Sequence, residues 1–600
     1  MCGIAGQYCF KGEPDRDLVI NMSKILAHRG PDADGTYFNK MVGLAHRRLS
    51  IIDLSKEANQ PMFNENRTIV IVYNGELYNY LYLKELLIKS GHTFKTNSDT
   101  EVIIHAYEEW GINCLIRFNG MWAFALWDNK KQQLFCARDR FGIKPFYYAL
   151  VGGDSLIFAS EIKALLARPE IGNTPRDSVV KLFLSSGILD HSNTTMFKDI
   201  YQILPSHAFI VTKQNIKHFR YCDLEINTMV DSVRDNLASY NTLRLLKQSV
   251  NSHLISDVPV GSCLSGGIDS STIVKIINEK HKIQNTFSAC FTDERFDESN
   301  YIKTIIKDSS IEPFFIEPNP NELLRDIEHL IYIQDEPFGS LSIYAQYCVM
   351  RLAQGKCKVL LDGQGADELL GGYLAYQKNY IRELVRQRYW ILAAKELFGS
   401  LRHHYAFYWY ALKQVLARNS RKKLLTDYIK TDRYGGTFDK LLYNELFINN
   451  LPALLHYEDR NSMAFSIEAR VPYLEMELVN YIASLSFDQK IRNGVTKFVL
   501  RQAIKDLVPE EIRNRTDKMG FVTPEELWMR FELKDYIMDI IYSTSFKNRP
   551  YWNSERVLED YQKFVDGKTN YSPEIWRIIC TELWLRKFFD DRQNLFSGIF

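Results

Sequence analysis

The spacing of apolar residues changes once along this chain of 600 residues, near residues 221–240. Before that point, short β-type runs such as Thr68–Tyr73 and Trp122–Trp127 follow one another closely, separated by turn residues. After it, apolar runs such as Val258–Leu264 alternate with helical stretches such as Ser270–Lys280. The first pattern is typical of antiparallel sheets and the second of a parallel sheet with helices, so the chain must contain two different folds.

These patterns predict the domain organisation. We expect an α+β domain of antiparallel sheets with helices over residues 1–210, and a polar linker over residues 211–240. An α/β domain with a parallel sheet follows over residues 241–600, and its part beyond about residue 375 is predicted to be mostly helical. The length agrees, because a single domain usually has about 100–200 residues.

Charge and composition exclude several classes of protein. The 74 Lys and Arg against 73 Asp and Glu leave a net charge of +1, which gives no general reason to expect nucleic acid as a partner. The sequence contains neither an apolar run of about 18 residues nor a basic and apolar leader, so we expect no transmembrane segment and no signal peptide. Ten scattered cysteines without a C-x-x-C pair indicate neither a zinc site nor a disulfide framework. We therefore expect a cytoplasmic protein with reduced cysteines.

Cys2 follows the initiator methionine and precedes a small residue. Removal of Met1 would make Cys2 the N-terminus, where an α-amine of pKa about 7.7–8.0 stands beside a thiol of pKa about 8.5. The amine can then act as general base for the thiol, which places a nucleophile and its base within one residue. Taken alone, however, Cys2 is most simply the second residue of the chain and nothing more.

Six motifs downstream of Cys2 overturn that simple interpretation. They are RGPD (Arg29–Asp32), RLSIID (Arg48–Asp53), YNGELYN (Tyr73–Asn79), SDTE (Ser98–Glu101), RDRFGIKPFYY (Arg138–Tyr148) and FASEIKAL (Phe158–Leu165). In this order they closely resemble the N-terminal-nucleophile glutamine amidotransferase domain of asparagine synthetase-like enzymes, over roughly residues 2–200. The resemblance implies that Cys2 releases ammonia from glutamine through a thioester.

The resemblance also implies roles for the residues that would bind glutamine. The Asn74 side chain and the Gly75 backbone N–H would stabilise the tetrahedral oxyanion. Arg48 offers a planar fork to the α-carboxylate of glutamine. Asp99, with Glu76 nearby, offers negative charge to the α-ammonium.

A Ser/Gly turn between an apolar strand and a helix marks the second domain. Residues 258–270 read VPVGSCLSGGIDS, so backbone N–H groups and a helix N-terminus meet at one point and form a natural anion site. No lysine follows the glycines, so this turn is not a P-loop. SGGxDS resembles instead the pyrophosphate-binding loop of the ATP pyrophosphatase superfamily, which cleaves ATP between its α- and β-phosphates.

A second glycine loop, KVLLDGQGADELLGGY, spans residues 358–373 and also follows an apolar strand. It resembles the GxGADE…GGY element of asparagine synthetases, whose acid joins the acid of the SGGIDS loop in holding Mg²⁺. Carboxylate oxygens suit Mg²⁺ beside phosphate, and the resemblance implies that Asp269 and Asp367 are its ligands. It also implies that ATP is bound by Leu264, Ser265, Gly266, Gly267, Asp269, Ser270, Ala289, Asp362 and Gly363.

Three further segments, Tyr457–Leu474, Thr496–Arg501 and Asp517–Phe521, also match the synthetase domain of this family. Lys497 lies in the second of them. It corresponds to a lysine that stabilises negative charge during adenylation and ammonia attack.

Three positions depart from the family pattern. Gln364 stands where many asparagine synthetases carry Glu or Asp, Asp362 where serine is usual, and Glu475 where aspartate is usual. A glutamine side chain cannot act as a general base, so another group must take the proton from the attacking ammonia. The candidate bases are Asp362 and Glu368. Asp362 is preferred because it is itself a departure from the pattern, although it could instead only order the loop or bind ribose hydroxyls.

Residues 378–423 combine eleven Lys and Arg with nine aromatic residues, against only two glutamates. Solvated helical faces over an aromatic core explain this pattern most simply. The alternative is a surface for anionic or lipid-linked partners, which would favour a large acceptor.

The sequence therefore predicts a glutamine-dependent asparagine synthetase-type enzyme. Its glutaminase domain would supply ammonia, and its ATP pyrophosphatase domain would adenylate the side-chain carboxylate of aspartate with ATP and Mg²⁺ and form the amide. Homodimers are common in this family. One alternative keeps this chemistry and changes the acceptor to a uronic acid sugar of a surface polysaccharide, or to a peptide or natural-product acid. The other is a catalytically silent regulatory protein on the same scaffold.

Overall fold

The computed structural model of the chain describes residues 2–224, 234–280, 284–307, 309–416, 424–425, 437–516 and 523–597, and for residues 406–416 the backbone alone. The strands are β1 (Gly3–Cys9), β2 (Ala33–Phe38), β3 (Val42–Arg48), β4 (Met62–Phe63), β5 (Ile69–Leu77), β6 (Gly120–Asp128), β7 (Gln133–Arg138), β8 (Tyr147–Val151), β9 (Ser155–Ala159), β10 (Tyr201–Gln202), β11 (His207–Val211), β12 (Ile216–Arg220), β13 (Val260–Cys263), β14 (Gln284–Ala289), β15 (Ile311–Ile316), β16 (Val359–Leu361), β17 (Glu468–Arg470), β18 (Ile491–Arg492) and β19 (Val495–Thr496).

The helices are α1 (Arg16–Ile25), α2 (Tyr80–Lys89), α3 (Asp99–Trp110), α4 (Ile162–Leu165), α5 (Asp177–Ser186), α6 (Asp235–His253), α7 (Ile268–Asn278), α8 (Ser299–Ile306), α9 (Pro320–Gln334), α10 (Ser342–Ala353), α11 (Ala366–Leu370), α12 (Leu374–Arg386), α13 (Trp390–Leu416), α14 (Phe438–Asn444), α15 (Leu451–Met463), α16 (Met476–Ser484), α17 (Phe487–Lys490), α18 (Phe498–Ala503), α19 (Glu510–Arg513), α20 (Glu525–Arg530), α21 (Lys534–Tyr542), α22 (Thr544–Lys547), α23 (Ser554–Val565) and α24 (Pro573–Leu585). Among the described residues, no helix combines the length and the apolar composition that crossing a membrane would require.

Two antiparallel sheets form the first domain, in the strand orders β10-β8-β9-β1-β3-β2 and β12-β11-β7-β6-β5-β4. Their facing sides share one buried core, in which Ile4 of β1 packs in the same cluster as Val72 of β5. Cys2 directly precedes β1, and Asn74 and Gly75 lie within β5. Packing of the two sheets therefore brings the predicted nucleophile to its predicted oxyanion donors.

A parallel sheet with the strand order β15-β14-β13-β16-β17 forms the centre of the second domain. Strand β13 leads through the SGGIDS loop into α7, and its neighbour β16 leads through the second glycine loop into α11. Because the carboxyl ends of neighbouring parallel strands meet at one edge of a sheet, the two acidic loops lie side by side. The predicted fold, antiparallel sheets followed by a parallel sheet and a helical C-terminal part, is confirmed.

The structure differs from the predicted linker at both of its ends. Residues 211–240 contain β12, which pairs with β11 at the edge of the second antiparallel sheet, and α6 begins at Asp235. Strand β12 escaped sequence analysis because its sequence, IKHFR, is largely polar, as suits an edge strand with none of its residues fully buried. The residues between Leu224 and Arg234 lie outside the described part of the chain.

The basic aromatic stretch of residues 378–423 covers most of α12 and all of α13. Tyr380 is buried, whereas Trp390, Phe398 and Tyr405 are mostly exposed, so only part of the predicted aromatic core forms. Arg418, Arg421, Lys422 and Lys423 lie outside the described residues. The alternative of an anionic or lipid-linked partner for this surface stays a prediction.

Six buried side chains of alternating charge form a closed ring between the two domains. Arg29 contacts Glu161 (2.7 Å), Glu161 contacts Lys163 (2.6 Å), and Lys163 contacts Asp335 (3.0 Å). Asp335 contacts Arg460 (3.2 Å), Arg460 contacts Asp459 (2.8 Å), and Asp459 returns to Arg29 (2.8 Å). Each of these side chains is at most 3% exposed, and three come from each domain. We call this set the interdomain charge ring.

Candidate active sites

One pocket of the first domain brings together Cys2, Arg48, Gly75, Glu76 and Asp99, which the sequence predicts to bind and hydrolyse glutamine. It lies where the start of β1, the end of β5 and the N-terminus of α3 meet. The strand pairing at this point requires glycine, since a Cβ on Gly75 would lie 2.2 Å from a backbone oxygen of β6. The predicted glutamine residues are thus neighbours in space.

Cys2 is 8% exposed and its thiol faces the pocket from a buried position. Burial raises the pKa of the Cys2 thiol, so the neutral form dominates until a base removes the proton. The backbone N–H of Cys2 donates to Oδ1 of Asn74 over 2.8 Å. This bond leaves Nδ2 of Asn74 buried without a hydrogen-bond partner among the described residues. A buried donor without a partner costs free energy, which is recovered when an oxyanion forms beside it.

Arg48 is held rigidly at the pocket wall. Its guanidinium donates to the carbonyl oxygen of Ser55 and to Oδ1 of Asn59, each over 2.7 Å, and to the carbonyl oxygens of Ile52 and Asp53. These bonds fix the plane of the fork before any substrate arrives. Because these bonds engage both terminal nitrogens, the fixed cation offers an amino acid carboxylate its positive charge and its Nε–H.

Two acids, Asp99 and Glu76, line the same pocket as this cation. Oδ2 of Asp99 accepts hydrogen bonds from the hydroxyl of Tyr73 and the backbone N–H of Leu77, each over 2.9 Å. Burial raises the pKa of Asp99 to about 6, and burial together with the charge of Asp99 raises that of Glu76 well above its ordinary range. A bound ammonium would relieve this clustering of acids.

Sequence analysis missed a contribution of the second domain to the same pocket. Glu468 of β17 lines it, and its neighbour Arg470 contacts Glu76 over 3.2 Å. Both residues lie in the segment Tyr457–Leu474, which matched the synthetase domain. The motif identified the segment, but no pattern in it indicates that these side chains cross to the glutamine pocket.

The pKa of Asp99 predicts how glutamine hydrolysis depends on pH. As the pH falls below about 6, Asp99 becomes neutral and no longer attracts the α-ammonium, so kcat/KM should fall by about tenfold more per pH unit than protonation of the α-amine of Cys2 alone would cause. Glutaminase activity measured between pH 8 and pH 5 checks this expectation. A kcat/KM that stays constant down to pH 5 would contradict the role of Asp99.

Two adjoining cavities in the second domain hold the predicted ATP residues. Together they are lined by Leu264, Ser265, Gly267, Asp269, Ser270, Ala289, Asp362 and Gly363. Of the predicted set, Gly266 alone lines neither cavity, although it lies within the same loop. The loop ends at Gly267, the N-cap of α7, so backbone N–H groups of this helix point into the cleft.

Lys497 lies between the two predicted metal ligands. Its Nζ is 2.5 Å from Oδ2 of Asp269 and 2.7 Å from Oδ1 of Asp367, and the side chain is 1% exposed. A Cβ on Gly372 would lie 1.9 Å from Oδ1 of Asp367, so the GGY element needs glycine to let this lysine approach. Burial lowers the pKa of Lys497, although the charge of Asp269 opposes this shift. Two carboxylates that converge on a cation fit the oxygen-only donor set that Mg²⁺ prefers.

The structure gives partners to all three positions that depart from the family. Asp362 and Gln364 lie beside Glu458, a buried acid of α15 that sequence analysis missed, and Oε2 of Glu458 accepts Nε2 of Gln346 over 2.9 Å. Burial raises the pKa of Asp362 and, together with the charge of Asp362, raises that of Glu458 well above its ordinary range. The repulsion between two neighbouring carboxylates disfavours the state in which both are ionised.

Glu475 serves a structural purpose. Its carboxylate caps α16 by accepting the backbone N–H of Leu478 over 3.0 Å, as an aspartate would. Its extra methylene lets the other oxygen accept Nδ2 of Asn119 in the first domain over 2.9 Å. Residues 517–521, the third segment predicted to match the synthetase domain, lie outside the described residues. Arg515, two residues before this segment, is described and lines the cleft.

Comparisons with known proteins agree with this geometry. A sequence model of the glutamine amidotransferase domain matches residues 1–222, and one of asparagine synthase matches residues 241–586. The two matches follow one another in the same order as the two pockets.

Three curated relatives extend the agreement over the chain. Asparagine synthetase [glutamine-hydrolyzing] 1 of Bacillus subtilis (strain 168) is 30% identical over 97% of this chain and 96% of its own. Asparagine synthetase [glutamine-hydrolyzing] 3 of the same organism is 31% identical over 86% of both chains. A putative asparagine synthetase [glutamine-hydrolyzing] 2 of Methanocaldococcus jannaschii is 36% identical over 64% of this chain and 78% of its own. This protein therefore belongs to the family of glutamine-hydrolysing asparagine synthetases.

Proposed function

We propose that this enzyme transfers the amide nitrogen of glutamine to the side-chain carboxylate of aspartate, driven by cleavage of ATP to AMP and pyrophosphate. The observation that carries the proposal is the presence, in one chain, of a glutamine pocket around Cys2 and a nucleotide cleft around Lys497. Glutaminase chemistry belongs to the first domain, which extends through β12, and ligase chemistry to the second, which begins with α6. The names of the relatives favour aspartate over a uronic acid or a peptide acid as the acceptor.

In the first half-reaction, Arg48 and Asp99 hold the two charged groups of glutamine and direct its side-chain amide at Cys2. The thiol attacks the amide carbon once the α-amine of a processed Cys2 has taken its proton. Asn74 Nδ2 and the backbone N–H of Gly75 stabilise the oxyanion, because they are preorganised and screened from water. Collapse of the intermediate releases ammonia and leaves a thioester, which water hydrolyses to glutamate.

In the second half-reaction, the SGGIDS loop binds the phosphates of ATP and the acceptor carboxylate attacks the α-phosphate. Adenylation is required because a free carboxylate has no good leaving group. Asp269 and Asp367 would hold Mg²⁺, which supplies charge neutralisation on the leaving pyrophosphate when bound. Lys497 supplies a second positive charge at the same place, and ammonia then displaces AMP from the acyl-adenylate.

We further propose that the pair of Asp362 and Glu458 takes the proton from the attacking ammonia. A pair that shares one proton retains one negative charge at neutral pH and can accept a second proton. Gln364, which replaces the usual acid, lies beside Glu458. The carboxylate function of the family is thereby carried by the neighbours of position 364.

Asp362→Asn and Glu458→Gln should therefore preserve formation of the acyl-adenylate and slow its capture by ammonia by about 10²–10⁴-fold. Positional isotope exchange in ATP reports adenylation, and amide formation is measured beside it. Gln364→Glu restores the usual acid and should recover part of the rate in the Asp362→Asn background. Amide formation at the parent rate in both single variants would eliminate the pair as the base.

The acceptor is tested by a screen of pyrophosphate release. The full chain is incubated with ATP, Mg²⁺, glutamine and, in separate reactions, aspartate, glutamate, a uronic acid or buffer alone. We expect aspartate to stimulate pyrophosphate release and to yield asparagine in equal amount. Stimulation by the uronic acid but not by aspartate would transfer the same chemistry to the alternative acceptor. No glutaminase and no pyrophosphate release would indicate the regulatory alternative.

A homodimer, common in the family, is the assembly that we expect in gel filtration.

A further inference from the structure

Two histidines and a glutamate meet beside helix α3, away from both pockets. Nδ1 of His92, in the loop after α2, lies 3.1 Å from Nδ1 of His105 on α3. Oε2 of Glu108, one turn further along α3, lies 2.9 Å from Nδ1 of His105 and 3.8 Å from Nδ1 of His92. These three atoms therefore form a small triangle of metal-ligand types.

Hydrogen bonds cannot pair all three of these atoms at the same time. His105 Nδ1 can carry one hydrogen, which it can donate either to Glu108 or to His92. The remaining pair of atoms would then face each other without a hydrogen between them or with a poorly directed one. Four-coordinate zinc binds nitrogen and carboxylate oxygen at about 2.0–2.2 Å, so its ligand atoms lie roughly 3.3 Å apart. The observed separations of 2.9, 3.1 and 3.8 Å bracket that value.

The far nitrogens of both rings face carboxylates, which is a second and independent observation. Nε2 of His92 lies 3.3 Å from Oε2 of Glu109. Nε2 of His105 lies 3.4 Å from Oε1 of Glu65 and 3.9 Å from Oε1 of Glu101. Histidines that bind a metal almost always direct their other N–H at a carboxylate, carbonyl or water, which fixes the ring and raises its basicity.

The environment of the triangle favours positive charge. Four glutamates (Glu65, Glu101, Glu108 and Glu109) surround two imidazoles within about one helical turn. A divalent cation would neutralise more of this negative charge than one proton does.

We propose that His92, His105 and Glu108 bind a zinc-type divalent cation, with a fourth coordination position open to solvent. Imidazole ligands select zinc-type cations over Mg²⁺ and Ca²⁺, which prefer oxygen. The absence of a C-x-x-C pair gave no indication of a zinc site in the sequence. This site instead uses histidines from two separate elements. The cation joins the loop before α3 to the helix that begins at Asp99, so it would stabilise one wall of the glutamine pocket.

Zinc titration of the full chain tests the site by calorimetry. The Cys2→Ala background removes the thiol of the glutamine pocket as a competing ligand, and excess Mg²⁺ would occupy the oxygen site of the second domain. We expect one equivalent of zinc to bind with a micromolar or lower dissociation constant. His92→Asn and Glu108→Gln should weaken binding by more than about 100-fold, because losing a carboxylate that only orients a ligand already costs about 10–100-fold.

Two matched variants and a second readout complete the design. Glu109→Gln should weaken binding by about 10–100-fold, and His329→Asn, which changes an exposed histidine elsewhere, should leave it unchanged. His92 and Glu108 are partly exposed, so their replacement should leave the fold intact, as circular dichroism will report. Zinc should also raise the Tm of the parent and not that of His92→Asn. Equal zinc affinity in His92→Asn and the parent, or no stoichiometric binding by the parent, would overturn the proposal.

Discussion

Replacing Cys2 with alanine is expected to abolish glutamine-dependent synthesis and to leave ammonia-dependent synthesis near the parent rate. The thiol is the only part of Cys2 that the substitution removes. The backbone bonds from its N–H to Asn74 and from Arg29 to its carbonyl oxygen persist, so the pocket keeps its shape. Loss of a nucleophile typically costs about 10⁴–10⁶-fold in rate, whereas the nucleotide cleft lies in the other domain and is untouched.

Asparagine formation is measured with glutamine and, separately, with ammonium chloride. Cys9→Ala is the matched control, because Cys9 is another buried cysteine, at the far end of the strand that Cys2 precedes, and it lines neither pocket. It should retain both activities. If Cys2→Ala lost both activities to the same extent, the scheme of two separate reaction sites would fail.

The substitutions Asp269→Asn and Asp367→Asn are each expected to lower pyrophosphate release by about 10³-fold or more, with either nitrogen source. Each removes a negative oxygen that faces Lys497 and that would hold Mg²⁺. The substitution also leaves the buried lysine with one counter-ion fewer, which costs free energy in an interior of low dielectric constant. Glutamine hydrolysis, in contrast, should continue at Cys2.

Pyrophosphate release is followed with saturating ATP and Mg²⁺, beside glutamate formation from glutamine. Asp506→Asn is the matched control, since Asp506 is an exposed aspartate of the same domain that does not line the cleft. Pyrophosphate release at the parent rate in both variants would refute the assignment of these two acids.

Much of both pockets could be predicted because the residues that line them are close in sequence to turns and strand ends. Asn74 and Gly75 lie within one strand, and Gly267 and Asp269 within one loop. Such positions depend on local geometry, namely a strand, a tight turn and a helix N-terminus, which a short motif specifies. The parallel sheet followed for the same reason, from apolar runs that alternate with helical periods.

The remainder depends on long-range contacts that no local pattern encodes. Glu468 reaches the glutamine pocket and Glu458 reaches Asp362 only because the second domain packs against its own loops and against the first domain. Likewise, His92 and His105 meet because a loop folds back onto α3. Strand β12 was missed for a different reason, since an edge strand needs little apolar sequence.

The interdomain charge ring has a consequence for the evolution and engineering of this chain. Arg29, Lys163 and Glu161 leave the first domain with a surplus positive charge at the contact, and Asp335, Asp459 and Arg460 leave the second with a surplus negative one. Expression of the two domains as separate proteins would therefore expose two surfaces of opposite charge that are buried in the intact chain. We therefore expect that the glutaminase domain can be exchanged for another only if Asp335, Asp459 and Arg460 of the second domain are changed to match it.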